Sequence, residues 1–132
     1  MKVFRGQKIP SQPVDSQSFV GTASAQRLGQ SEDGTPVVVY RVEFQSGART
    51  NWHIHSGAQW LLIVDGRIRI QRWGEPARDV VAGDAVVIPP GEKHWHGAAP
   101  GSRGVHLAVN VNATTEWLEQ VSEEQYKLDI GH

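Results

Sequence analysis

The chain contains no cysteine, and across its 132 residues the 13 Lys+Arg nearly balance the 14 Asp+Glu, leaving a formal charge of −1. Without cysteine there is no disulfide scaffold, thiolate nucleophile, iron–sulfur cluster or Cys-ligated zinc. Any metal must therefore be held by His, carboxylate or amide. The near-neutral charge gives no electrostatic footprint for nucleic acid or an anionic membrane surface, so neither is expected as a partner. No apolar run approaches the roughly 20 residues that span a bilayer. Met1 to Pro13 is basic but lacks the apolar stretch of a secretory signal, and a cytoplasmic location is the expectation. No nucleophile elbow, Ser-His-Asp pattern, Walker loop or Rossmann fingerprint is present.

What is present is dense punctuation, 14 Gly and 7 Pro, between short segments rich in Val, Ile, Leu and Trp. That pattern predicts one all-β domain over residues 1–132, a sandwich or barrel of short strands. Residues 1–18 read as an extended N-terminal arm. Phe19 to Leu28 reads as a weak strand, and Asp33-Gly34 as a hairpin turn into Val37–Phe44. In that strand Val38, Tyr40, Val42 and Phe44 share the face expected to meet the core. Gln59–Val64 and Arg67–Trp73, separated by Asp65-Gly66, read as a second hairpin. Gly83-Asp84 precedes a strand Ala85–Ile88, which Pro89-Pro90-Gly91 ends, and Gly104–Val111 is a further strand. Residues 114–129 read as a helical segment: Thr114 or Thr115 caps a short helix through Leu118, and Ser122 to Gln125 begins a second.

Five of the six histidines lie between residues 53 and 106. Two pairs have i, i+2 spacing, His53-Ile54-His55 and His94-Trp95-His96. On extended backbone such pairs point the same way, so each can aim two imidazoles at one point, as a metal requires. A single His-x-His pair is commonplace on a solvated strand; two pairs, each beside a Gly or Pro turn, favour a site.

The surroundings carry a longer pattern. Gly47, five residues, His53-Ile54-His55, three residues, Gln59, six residues and Gly66 form one block. Gly83, five residues, Pro89-Pro90-Gly91, two residues and His94 form another. Together they resemble the two-part signature of the cupin superfamily, with Gln59 where that family usually has Glu and Ala98 where it usually has Asn. The segments Gly47 to His53, Pro90 to Pro100, His106 to Ala108 and Glu124 to Tyr126 are more closely similar to the small bacterial manganese-dependent cupin hydroxynitrile lyases. This resemblance implies a jelly-roll barrel with one divalent metal bound by His53, His55, Gln59 and His94. Manganese is the implied metal, and iron, nickel or zinc suit the same N/O ligands. It also implies a small-molecule pocket that includes Tyr40, Val42, His96, His106 and Asn110, with His106 or His96 as the acid–base residue. The lyases have a smaller residue in place of Tyr40 and Gln in place of Asn110.

Three functions follow as expectations. The first is a hydroxynitrile-lyase-like carbon–carbon lyase. A neutral amide at position 59 leaves the metal's charge uncompensated, which suits Lewis-acid work on a substrate oxygen. The second is a dioxygenase or isomerase acting on a small organic acid, and the third a non-catalytic binding cupin. A homodimer is expected, because Val105–Val111 has apolar residues that need cover on both faces. Periodicity alone would expose His106, whereas the resemblance places it inside. Trp52, Trp60 and Trp95 alternate with their His or Gln neighbours and read as packing or interface residues. Lys93 reads as a solvated turn residue, with an acid–base role near the metal as the alternative. Arg49 reads as either a carboxylate grip or a surface residue. Asp65, Asp84 and Asp129 read as turn or surface acids.

Overall fold

A computed structural model describes residues 1–31 and 34–128. Asp33 of the expected hairpin turn and Asp129 lie outside the described residues. After a 3-10 turn at Gly6–Lys8, the chain forms strands β1 (Gln12–Pro13), β2 (Phe19–Val20), β3 (Ala23–Gln30), β4 (Val37–Phe44), β5 (Arg49–Thr50) and β6 (His53–His55). Next come β7 (Gln59–Arg72), β8 (Arg78–Val81), β9 (Ala85–Ile88), β10 (His94–Ala98), β11 (Gly104–Val111), β12 (Thr115–Trp117) and one helix, α1 (Glu123–Lys127). No helix among the described residues is long and apolar enough to cross a membrane.

All pairings are antiparallel. One layer runs β1-β3-β4-β11-β7-β9; the other runs β2-β5-β10-β7-β8, with β6 on the end of β10 and β12 on β6. Both layers share β7, so the sheet curls on itself into an all-β barrel. Inner-face residues of both layers, including Val42, Phe44, Leu61, Ile63, Ile68 and Ala98, make the main core. Their alternation with outward residues is the period-2 pattern of the sequence.

The hairpin expected at Asp65-Gly66 is instead a bulge inside the single strand β7. Leu61 and Ile63 point inward before it and Ile68 after it, a change of phase that an extra residue produces as well as a turn does. The register against β11 slips between Val105 and His106. Gly66 has φ +66°, and a Cβ there would collide with the Arg103 carbonyl oxygen, so only glycine fits. Val105 and His106, on either side of the slip, are both fully buried. Periodicity alone therefore misplaced His106, because it assumed an unbroken ladder.

The helix expected from Thr115 is also corrected: Thr115–Trp117 is a strand paired to β6. The unpaired edge of β6 offers ladder hydrogen bonds that outweigh a local capping signal, and Thr and Trp suit a strand. Helix α1 begins where Ser122 caps it. The Ser122 hydroxyl accepts from Gln125 N, and the Gln125 side chain accepts from Ser122 N. Beneath α1 lies a second apolar cluster of Trp52, Ala77, Trp95, Val121 and Tyr126. The N-terminal arm adds β1 to the edge of β3, where Gln26 Nε2 donates to the Gly6 and Ile9 carbonyls. Pro13 sits on this edge, where its missing N–H costs nothing.

Candidate metal centre

Strand β6 carries His53 and His55 on one face, and His94 of β10 lies directly opposite His53 in the ladder. The His53 and His94 ring centroids are 4.2 Å apart, His53 and His55 4.9 Å, and His55 and His94 5.3 Å. Gln59 opens β7 opposite Asn110 of β11. All four side chains are buried.

Hydrogen bonds define which atoms remain for a ligand. His53 Nδ1 lies 2.8 Å from the Asn51 carbonyl and His94 Nδ1 2.8 Å from the Glu92 carbonyl. A carbonyl only accepts, so both rings carry their proton on Nδ1 and present a lone pair at Nε2. His55 Nδ1 lies 2.9 Å from Thr115 Oγ1. Gln59 Nε2 donates to Asn110 Oδ1 at 2.8 Å, which fixes the amide with Oε1 at its other end. His55 Nε2, His94 Nε2 and Gln59 Oε1 are buried without a hydrogen-bond partner. Unsatisfied buried acceptors are costly unless something fills the space between them. This donor set of imidazole nitrogen and amide oxygen suits a divalent transition metal.

His96 stands closer to this group than its place in the sequence suggests. Ring nitrogens of His53, His94 and His96 lie within 4.8 Å of one another, a three-histidine group able to hold a metal ion. His96 Nδ1 in turn lies 3.0 Å from His106 Nε2, while His96 Nε2 and His106 Nδ1 have no partner. Burial lowers the pKa of all five imidazoles, taking His94 and His106 down to about 4. All are therefore neutral at pH 7, the form that ligates metals and accepts protons.

A cavity of about 390 Å³ is lined by Tyr40, Val42, His96, His106 and Asn110 together with His53, His55 and Gln59. His94 instead lines a smaller cavity with Ile70, Ile88 and Trp95. Three wall segments were not anticipated from the sequence: Val14 and Asp15 from the arm, Phe19 of β2, and Thr115 and Trp117 of β12. Phe19 and the Thr115–Trp117 strand reach the cavity through pairing with β5 and β6 across long stretches of chain, for which no local motif exists.

Arg49 is buried rather than at the surface, and the carboxylate it grips is the chain's own Glu123 and not a ligand's. Its guanidinium donates to the Val121 and Gly47 carbonyls and to Glu123, and lies over the Tyr126 ring, fastening the C-terminal segment. Lys93 packs on Trp73 and pairs with Glu119, so it is neither simply solvated nor part of the cavity wall. Trp52 and Trp95 are buried under α1, whereas Trp60 is exposed.

Residues 40–111, more than half of the chain, match the cupin domain. The chain belongs to the cupin family. It is 40% identical over 112 residues to a protein named (R)-mandelonitrile lyase from Granulicella tundricola, covering 83% of this chain and 86% of that one. A crystal structure of a cupin-like protein from Thermotoga maritima superposes with a TM-score of 0.83 at 40% identity, covering 87% of this cupin and 90% of that chain. The polyketide cyclase RemF from Streptomyces resistomycificus superposes with a TM-score of 0.75 at 20% identity, over 96% of this chain and 91% of that one, a likeness of fold alone.

Proposed function

We propose that this cupin is a metal-dependent lyase that cleaves or forms the carbon–carbon bond of small cyanohydrins. His53, His55, Gln59 and His94 would hold one divalent ion, manganese in the first instance. The observation that carries this reading is the convergence of unpartnered imidazole and amide acceptors on a cavity that also holds the His96–His106 pair. Support comes from the 40% identity to a protein named for mandelonitrile lyase.

The bound ion would supply Lewis acidity to a substrate hydroxyl oxygen and no redox step. The chain's own residues do the rest. With Nδ1–H donated to His106, His96 has its lone pair at Nε2 and takes the hydroxyl proton there. The imidazolium that forms is held by the same hydrogen bond, so His106 supports the base. The carbon–carbon bond breaks as the carbonyl forms, and cyanide leaves with the bonding pair and takes from His96 the proton that came from the hydroxyl. Aldehyde and hydrogen cyanide are the balanced products. Val42, Phe44 and Ala108 give the apolar wall against which the organic group rests, and Tyr40 narrows it. Among the described lining residues Asp15 alone bears a formal charge, so no side chain of the wall offers a cation to a carboxylate substrate.

The test is turnover of cyanohydrins of graded size by metal-loaded protein under anaerobic conditions. Cleavage to aldehyde and cyanide that disappears on chelation is the expected result. Turnover of other substrates only in the presence of oxygen would replace this reading with an oxygenase, and no metal-dependent turnover with any substrate would favour a binding role.

A further inference from the structure

The three imidazoles of the proposed ligand set are not oriented in the same way. His53 and His94 are fixed by backbone carbonyls two residues before each of them, at Asn51 and Glu92. These contacts are local, and a carbonyl permits only one tautomer. His55 instead depends on a side chain from the far end of the chain, Thr115 Oγ1 at 2.9 Å, 60 residues away. A hydroxyl can donate or accept. Only when it accepts does His55 keep its lone pair on Nε2.

Thr115 is held firmly enough to make that choice. Strand β12 pairs with β6 so that Thr115 lies opposite His55 and Trp117 opposite His53. Before the pair, Ser56 N donates to the Thr114 carbonyl and Thr114 N donates to Ser56 Oγ. After it, Leu118 N donates to the Trp52 carbonyl and Trp52 N to the Glu119 carbonyl. Beyond that, the Arg49 guanidinium grips the Val121 carbonyl and the Glu123 carboxylate. The Trp117 ring packs on His53 with centroids 4.7 Å apart. The strand that bears two candidate ligands is thus closed by the C-terminal segment, which brings one hydroxyl to the one imidazole lacking a carbonyl.

We infer that Thr115 is a positioning residue for the metal centre: its hydroxyl accepts from His55 Nδ1–H and leaves Nε2 free for the cation. This rests on the metal reading above. Partners behind a ligating imidazole typically change metal affinity by about 10–100-fold. Thr115 is itself exposed, so water partly replaces a missing hydroxyl and the lower end of that range is expected.

The experiment has two readouts. In metal-free protein at neutral pH, long-range 1H–15N NMR reports the tautomer of each histidine. In the same protein Mn2+ alone is titrated, with free ion followed by electron paramagnetic resonance. Wild type is expected to show His55 as the Nδ1–H tautomer. Thr115→Val, which keeps the shape and β-branching, is expected to populate both tautomers and to bind Mn2+ about tenfold more weakly, and Thr115→Ser to restore both readouts. A wild-type His55 found as the Nε2–H tautomer overturns the inference without any variant. So does a Thr115→Val protein with wild-type tautomer and affinity. Wild type that binds no Mn2+ overturns the metal reading instead, and the tautomer readout then decides the role of Thr115 by itself.

Discussion

His106 Nε2 lies 3.0 Å from His96 Nδ1, with both rings buried in the cavity wall. Neutral imidazole has one N–H and one lone pair, so a proton on either of these two nitrogens decides which way the pair works. With the proton on His96 Nδ1, His96 faces the substrate as a base and His106 stands behind it. Of the two residues expected to act as acid or base, His96 is favoured for the substrate-facing role, because its ring nitrogen lies within 4.8 Å of those of His53 and His94.

With His53, His55, Gln59 and His94 as the four donors, His96→Ala is expected to keep bound metal and lose turnover by about 10²–10⁴-fold, the contribution of a general base. Loss of metal in this variant would instead make His96 a ligand, as its place beside His53 and His94 allows. His106→Ala is expected to lose less, because the base itself remains. Turnover assays alongside metal analysis separate the two. Unchanged activity in both variants would sink the mechanism, and a dead His106→Ala beside an active His96→Ala would reverse the roles.

His53→Ala or His94→Ala should lose most of the metal, because each removes one of four donors and opens the remainder to water. Metal content of untagged protein after dialysis is the measurement. Stoichiometric metal in both variants would contradict the ligand assignment.

Acid should destabilise the metal-free protein in a defined window. Burial holds His94 and His106 at about 4, against an ordinary value of 6.5. Below pH 6.5 the unfolded chain takes up protons that the folded chain refuses until about pH 4. Stability is therefore level in these groups above pH 6.5 and falls from there towards pH 4. Each group contributes up to about 1.4 kcal/mol per pH unit inside the window. Urea midpoints measured between pH 8 and pH 4.5 check this; a midpoint unchanged from pH 7 to pH 5 would contradict it.

Self-association is expected through the outer face of β7 and β9. Trp60, Leu62, Val64 and Val87 are 44%, 37%, 45% and 52% exposed, and Trp60 lies between Val87 and Val109 in the ladder. A contiguous apolar face of this kind favours burial against a second copy. Light scattering is expected to give a dimer mass, and Trp60→Glu a monomer that still binds metal. A monomeric wild type at micromolar concentration would refute this.

Alternation and spacing made much of the site readable from the chain. The i, i+2 histidines do share faces, and the alternation of Val38 to Phe44 does place Val42 and Phe44 in the core. Both depend only on strand geometry. Less legible were features in which a distant segment overrides a local signal. The bulge at Gly66 imitates a turn because both break the alternation. Thr115 imitates a helix cap because nothing near it announces the open edge of β6. Arg49 reads as a carboxylate grip or a surface residue, and nothing near it in the chain announces that α1 and its preceding loop close over it. The His96–His106 contact joins two strands that are not neighbours in the ladder, so no pairing rule would have found it.

The docking of β12 onto β6 also bears on the order in which the molecule is made. Synthesis runs from the N-terminus, and every candidate ligand has emerged by residue 94, well before Thr115, Val121 and Glu123. Until those residues leave the ribosome, β6 lacks its outer neighbour and His55 its hydroxyl partner. Such long sequence separations are closed late and slowly in folding. A nascent chain therefore carries the histidines without the complete cradle, and the hydroxyl behind His55 arrives only with the C-terminal segment.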